Sequence, residues 1–150
     1  GRIIKLKITE NDFPCMGKLA QGTNIMKLFP GENISKAINL QEKQIKDLIL
    51  VTNKGSYVKY TTKEIRLSKK GELGSIGINL KDNKNIKEKV INCFINNKHI
   101  YLKTNKDKYE KLNTNYLNYQ SNKKGGKINI KLNDNEYIKY FFSMLIPENN

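Results

Sequence analysis

The side chains that most often carry out chemistry are scarce in this chain and poorly spaced for it. His99 is the sole histidine. It stands beside the apolar run 100–102, which suits a structural or surface position better than a proton shuttle. Cys15 and Cys93 are the only two cysteines and lie in different halves of the chain. Neither a redox C-x-x-C pair nor a zinc-ligand spacing is present, so both read as buried free thiols. Residues 71–77 are rich in glycine, but the lysine and hydroxyl that complete a phosphate-cradling loop are missing. The carboxylates do not pair into an acid–base constellation or a magnesium cluster. None of the 8 tyrosines has a context that marks a nucleophile. No catalytic residue, metal site or cofactor is expected within the chain.

Positive charge is what the chain has in excess. Twenty-eight Lys and Arg against 14 Asp and Glu leave a formal net charge of +14, and the isoelectric point is near 9.7. Such a surface attracts polyanions: nucleic acid, an anionic membrane or an acidic protein. Arg2 and Arg66 are the only arginines. A lysine is a hydrated point charge that binds phosphate without fixed geometry, whereas arginine is the usual reader of guanine. The balance favours contact with a phosphate backbone over sequence reading. Codon bias is the plain alternative, because Lys, Asn and Ile are all encoded by AT-rich codons.

Those charges need elements to position them. Apolar residues make up 37% of the chain and mean hydropathy is −0.66, yet the apolar residues gather in short runs at 3–4, 48–51, 90–94 and 140–147. That clustering predicts a folded domain, although low hydrophobicity with high charge leans towards disorder. No apolar stretch reaches the length of a membrane span. Residues 1–5 do not form a signal peptide and read as the middle of a strand, so the chain is expected to be cut from something longer.

An internal repeat orders the elements. Thr52, Asn53, Lys54 and Lys59 recur 52 residues on as Thr104, Asn105, Lys106 and Lys111. Gly74, Ile76, Ile78 and Leu80 recur as Gly126, Ile128, Ile130 and Leu132, and Ile86 as Ile138. Gly22, Met26, Leu28 and Ile34 stand in the same relation to Gly74, Ile78, Leu80 and Ile86. Gly1 and Lys5 match Gly55 and Lys59 at a spacing of 54, with an insertion near residues 11–14. Three repeats result, at about 1–45, 46–94 and 95–150. Period-two alternation makes them strands, the run 48–51 suits an inner strand covered on both faces, and Asn53-Lys54-Gly55 is a tight turn. One helical turn at 41–45 is the sole helix candidate. The expected fold is all-β, a propeller-like array of about three four-stranded blades forming a partial disc; a β-sandwich with chance similarity is the alternative.

Gly22, Gly74 and Gly126 are expected to supply a positive φ or a close backbone approach before the alternating strand. The preceding loop is basic, with Lys18 in the first repeat, Arg66, Lys69 and Lys70 in the second, and Lys123, Lys124 and Lys127 in the third. Singly, each is an ordinary solvated loop. Repeated, they predict a periodic cationic track along a rim, suited to a bent duplex. Lys5, Lys59 and Lys111 form a second aligned set, with Tyr57 and Tyr109 two residues before the latter two. That set reads either as a cationic, aromatic outer surface or as tyrosines covering apolar surface beneath lysine stems.

Residues 47–66 with 71–80, and likewise 1–7 with 16–28, resemble blades of the gyrase A C-terminal domain, the family found in DNA gyrases. Residues 100–132 resemble one more loosely. The resemblance implies a β-pinwheel whose blades exchange strands and whose basic rim wraps double-stranded DNA, in support of ATP-dependent negative supercoiling. It implies as partners the remainder of the gyrase A subunit and the gyrase B subunit in an A2B2 holoenzyme, with ATP and Mg2+ used in other domains and the cleaving tyrosine upstream. The family's full disc has about six blades, against about three here. The nearest match to its Gln-Arg-Arg-Gly-Gly-Lys-Gly box is residues 120–127, with lysines in place of arginines and on the last repeat instead of the first. The A subunit of topoisomerase IV and a basic propeller-type protein-interaction module are the competing readings. The AT-rich composition implies a bacterial cytoplasm or the plastid-like organelle of a parasite (an apicoplast).

Overall fold

A computed structural model describes residues 1–41, 45–81, 86–120 and 124–143. The described chain is all-β apart from two 3-10 turns, Thr62–Glu64 and Thr114–Tyr116. Nine strands follow in order: β1 Arg2–Ile3, β2 Asp47–Thr52, β3 Ser56–Thr61, β4 Ser75–Ile76, β5 Val90–Ile95, β6 His99–Thr104, β7 Tyr109–Asn113, β8 Gly126–Lys127 and β9 Ile138–Phe142. They form three antiparallel sheets, ordered β1-β4, β5-β2-β3-β8 and β7-β6-β9.

The repeat is visible in the hairpins. β2 and β3 pair through Thr52–Gly55, where Gly55 takes φ 69° and its N–H meets the Thr52 carbonyl at 3.1 Å. β6 and β7 repeat the hairpin, and Asp107 takes the glycine's place at φ 58°. Each inner strand carries a register irregularity at the same place, Val51/Thr52 in β2 and Lys103/Thr104 in β6. The chain then crosses between units. β4 pairs with β1, and β8 pairs with β3, so an outgoing hairpin strand receives its outer neighbour from the following repeat.

Among the described residues the middle sheet has four strands, because it owns a hairpin and also receives an exchanged strand. The 41–45 turn falls across residues outside the described set. The alignment of Ile86 with Ile138 also fails. Ile138 pairs with Thr104 as Val90 pairs with Thr52, so the spacing has shortened by that point.

The middle sheet is covered on both faces, which explains the unbroken apolar run of β2. Ile49 and Val51 point into one cluster with Tyr57, Phe94, Ile100, Leu102, Ile128, Ile138 and Phe141. Leu48 and Leu50 point into the other with Val58, Tyr60, Ile65 and Ile78. At about 1.5–3 kcal/mol per fully buried aliphatic or aromatic side chain, each two-residue step of β2 glues one face of its sheet to a neighbouring unit. The cysteines divide. Cys93 is largely covered, but Cys15 is exposed, contrary to its reading as a buried thiol, because residues 7–22 carry few apolar side chains into either cluster.

Candidate nucleic-acid interface

The hairpin ends of the second and third units use recurring chemistry. In the second unit, Glu88 is buried at the hairpin end and accepts hydrogen bonds from the Thr52 hydroxyl (2.8 Å), the Ser56 hydroxyl and the Lys81 N–H (2.8 Å). In the third, Glu136 accepts from the Asn133 N–H (3.1 Å) and the Lys108 ammonium (3.1 Å). Asn53 brackets the second turn by accepting from Lys89 N–H and donating to the Lys87 carbonyl, and Asn105 does the same with Tyr137 and Asn135. Burial pushes the Glu88 carboxyl up, but the bonds from Ser56, Lys81 and Thr52 together outweigh it and hold the group below the usual carboxylate range. Glu136 is held low chiefly by the Asn133 N–H, against its burial and with help from Lys108. Neither glutamate was singled out from the sequence. Their partners Thr52 and Thr104 stand 52 residues apart, but Glu88 and Glu136 stand 48 apart, so a fixed offset steps past them.

Of the aligned lysines, two are latches between units. The Lys59 ammonium is 7% exposed as a residue and donates to the Thr114 carbonyl at 3.3 Å. It also lies 3.6 Å from Asp47 and 4.6 Å from the Tyr119 ring centroid. Lys5 is half-buried and donates to the Thr62 carbonyl at 3.0 Å. Thr62 and Thr114 open the two 3-10 turns, so both lysines satisfy the same carbonyl of the next unit. Lys59 makes its bond between units from a buried position and Lys5 from a half-buried one. Lys111, third in the set, is exposed.

Tyr57 resolves the second ambiguity, since it is 5% exposed and its hydroxyl accepts from the Asn118 N–H at 3.1 Å. Tyr109, its counterpart, is 62% exposed.

The loop cations fall elsewhere. Lys18, Arg66, Lys69, Lys70, Lys124 and Lys127 are exposed residues; Lys123 lies outside the described residues. Arg66 faces Glu72 at 3.4 Å with its side chain 76% exposed, a weak surface pair. Lys70 donates to the Asp12 carbonyl at 2.8 Å. Lys127 donates to the Lys54 carbonyl at 3.0 Å, and burial of its ammonium lowers its pKa. Arg2, outside the predicted set, binds Glu32 and the Lys27 carbonyl and stacks 4.7 Å from the Phe29 ring. Both arginines are thus paired with glutamate, and lysines carry the excess charge.

The loops that carry these lysines are held by the preceding unit. Gly71 N–H meets the Ile25 carbonyl at 3.1 Å, and Lys27 N–H meets the Glu72 carbonyl at 3.0 Å. In the next unit, Gln120 N–H meets the Lys59 carbonyl at 2.8 Å. Each loop runs from a 3-10 turn to an exchanged strand, and both carry lysine, Lys69 and Lys70 a few residues before Gly74 and Lys124 directly before Gly125.

The glycines confirm the frame with one correction. Gly22 and Gly74 take φ 80° and 74°. Gly125, at φ 79°, is their counterpart, not Gly126. A Cβ at Gly74 would meet the Ile3 carbonyl oxygen at 2.5 Å, and one at Gly125 the Tyr57 carbonyl oxygen at 3.1 Å. Gly126 lies in β8 and is small for another reason: a Cβ there would strike the Tyr57 ring at 2.7 Å.

Comparison with known proteins decides what this strand-exchanged array is. A family profile described as the DNA gyrase C-terminal domain, a β-propeller, matches residues 1–41, 46–97 and 118–143. The chain belongs to the DNA gyrase C-terminal domain family. The gap at 98–117 covers β6, β7 and the second 3-10 turn, the unit that resembles the family most loosely. Among solved structures, the C-terminal domain of DNA topoisomerase IV superposes with a TM-score of 0.78 at 18% identity, over 95% of this chain and 43% of that one. The chain thus spans less than half the length of that domain. No curated protein sequence matches it. As a gyrase C-terminal-type domain, the chain is a topoisomerase module with the pinwheel fold. Among its described residues no three metal-ligating side chains gather, and no helix is long and apolar enough to cross a membrane.

Proposed function

We propose that the chain binds double-stranded DNA along the rim formed by its inter-unit loops and bends the duplex as it does so. The observation that carries this reading is the recurrence of exposed lysines, Lys69 and Lys70 and then Lys124, on corresponding loops of adjacent units. Lys18 extends the set to the first unit. A duplex that curves past successive units presents phosphates at each of them, and lysines bind phosphate without sequence preference. Lys59 is the least suited of the lysines to this role, because its ammonium is buried between two units. In the whole enzyme this wrapping serves ATP-dependent negative supercoiling as part of a gyrase A subunit. The B subunit is then the partner in an A2B2 assembly, ATP and Mg2+ act in other domains, and the host compartment is a bacterial cytoplasm or an apicoplast.

The test is an affinity titration at several salt concentrations, with a duplex long enough to bend beside a short one of related sequence. Each phosphate neutralised contributes a log–log slope of about −0.9. A steep slope with preference for the long duplex is expected. A flat slope, or equal affinity for both lengths, refutes wrapping and favours a protein-interaction role for the basic surface.

A further inference from the structure

A cavity of about 280 Å³ lies where the second and third units meet. Asp47 and Lys59 of the second unit line it together with Asn96, Lys98 and Thr114 of the third. It has room for a small anion and several waters, at about 30 Å³ for each water.

The oxygen acceptors of the lining are mostly committed to one another. The Thr114 carbonyl accepts from the Lys59 ammonium at 3.3 Å. The Lys98 carbonyl accepts from the Thr114 N–H at 2.9 Å, and the Asn97 carbonyl accepts from the Thr114 hydroxyl. The Asp47 carbonyl accepts from the Asn96 N–H at 3.0 Å, and Asn96 Oδ1 accepts from the Asp47 N–H at 2.8 Å. Asp47 Oδ2 accepts from the Tyr119 hydroxyl at 2.6 Å. These bonds fix the walls and leave the cavity rich in donors.

Lys59 is the donor in greatest need. Its side chain is 9% exposed, and an ammonium carries three N–H groups. Among the described residues it makes one hydrogen bond, a long one. Its 3.6 Å approach to Asp47 is too far for a second, and the Tyr119 ring takes a further direction as a cation–π contact. A buried cation short of acceptors is costly unless something in the cavity supplies one. Lys98 adds an exposed ammonium to the lining. Asn96, with its oxygen taken, adds its NH2 group. Two ammonium groups against one carboxylate leave the lining positive. Asp47 Oδ1 is the exception among these groups: it repels a bare anion but accepts a bond from one that carries a hydroxyl.

We propose that this cavity binds hydrogen phosphate, with its charged oxygens on Lys59, Lys98 and the Asn96 amide and its hydroxyl donating to Asp47 Oδ1. Bound there, the anion ties the second unit to the third and gives Lys59 the acceptor it lacks. The site is separate from the loop lysines and does not rest on the DNA reading. Sulfate brings the charge without the hydroxyl. A phosphodiester, the form phosphate takes in a DNA backbone, also has no hydroxyl. The geometry therefore favours free phosphate over both.

An NMR titration of the full chain tests this, free of nucleic acid, near neutral pH and at constant ionic strength. Inorganic phosphate, sulfate and dimethyl phosphate are added in turn, the last standing for the DNA backbone. Phosphate is expected to shift the Asn96 and Asn115 amide signals saturably, with a Kd in the millimolar range, and the other two anions are expected to bind about tenfold more weakly. Lys98→Gln changes an exposed side chain and is expected to weaken phosphate about tenfold while leaving the rest of the spectrum in place. Lys106→Gln, an exposed lysine outside the lining, is expected to bind as the natural chain does. Asp47→Asn is expected to narrow the preference for phosphate over sulfate. No saturable shift at these amides overturns the proposal, as does a shift that survives Lys98→Gln. Sulfate binding as tightly as phosphate reduces the cavity to adventitious anion binding and overturns it too. Tighter binding of dimethyl phosphate assigns the cavity to the DNA backbone instead.

Discussion

Replacing Lys59 by methionine separates a latch from a phosphate contact. The substitution keeps the aliphatic stem in place and deletes the charge. The ammonium donates to the Thr114 carbonyl at 3.3 Å, lies 3.6 Å from Asp47 and sits 4.6 Å from the Tyr119 ring centroid. A hydrogen bond from a charged donor contributes about 1.5–3 kcal/mol. The Asp47 side chain is 35% exposed, so the ion pair adds only a few tenths of a kcal/mol, since solvent screens it. The desolvation that the buried ammonium no longer suffers offsets part of the loss. The balance is a destabilisation of about 2 kcal/mol, equivalent to a Tm lower by roughly 4–8 °C for a chain of this size. Thermal unfolding followed by circular dichroism reads that shift. The salt dependence of DNA binding, measured well below Tm, is expected to stay as it was, whereas Lys69→Met is expected to lower the slope by about 0.9 and leave Tm in place. A Lys59→Met protein with unchanged Tm and a reduced salt slope would refute the latch and restore Lys59 to the DNA-facing surface.

Four further outcomes rest on the packing. Glu88→Ala strands the Thr52 and Ser56 hydroxyls and the Lys81 N–H, so chemical denaturation is expected to show a loss of about 3 kcal/mol; a loss under about 1 kcal/mol would mean that solvent replaces the carboxylate freely. Because the folded Glu88 carboxyl lies below its unfolded value, its contribution is present above the unfolded value of about 4.3 and disappears as pH falls through the folded one; a pH series comparing the natural chain with Glu88→Gln isolates that loss. Gly74→Ala forces both a positive φ and a Cβ 2.5 Å from the Ile3 carbonyl oxygen, and is expected to cost more than about 2 kcal/mol, while Gly22→Ala, which meets nothing, is expected to cost about 1 kcal/mol; equal costs would show that the exchanged strand does not pack as described. Burial pushes the Cys93 thiol up to about 12, so an alkylating reagent near neutral pH is expected to label Cys15 fast and Cys93 only on unfolding, with peptide mass mapping as the readout.

The sequence by itself determined the class, the repeat and the turns. Period-two alternation, an unbroken apolar run in β2 and the recurrence of Thr52-Asn53-Lys54 at Thr104-Asn105-Lys106 are local signals, and backbone geometry leaves little choice about what they form. The excess of lysine was equally legible, since charge is a property of composition. What a given lysine does was not. Lys5, Lys59 and Lys111 occupy one register position, yet Lys59 is buried, Lys5 half-buried and Lys111 exposed, because among the described residues the first two meet the carbonyl that opens a 3-10 turn. The same applies to Tyr57 and Tyr109. Gly125 displaced Gly126, and Glu88 and Glu136 escaped notice, because a fixed offset cannot see insertions that the fold absorbs in its loops. Strand exchange decided all of these: when the outer strand of one unit comes from the next, the surroundings of a residue depend on whether that neighbour is present, and no local pattern records it.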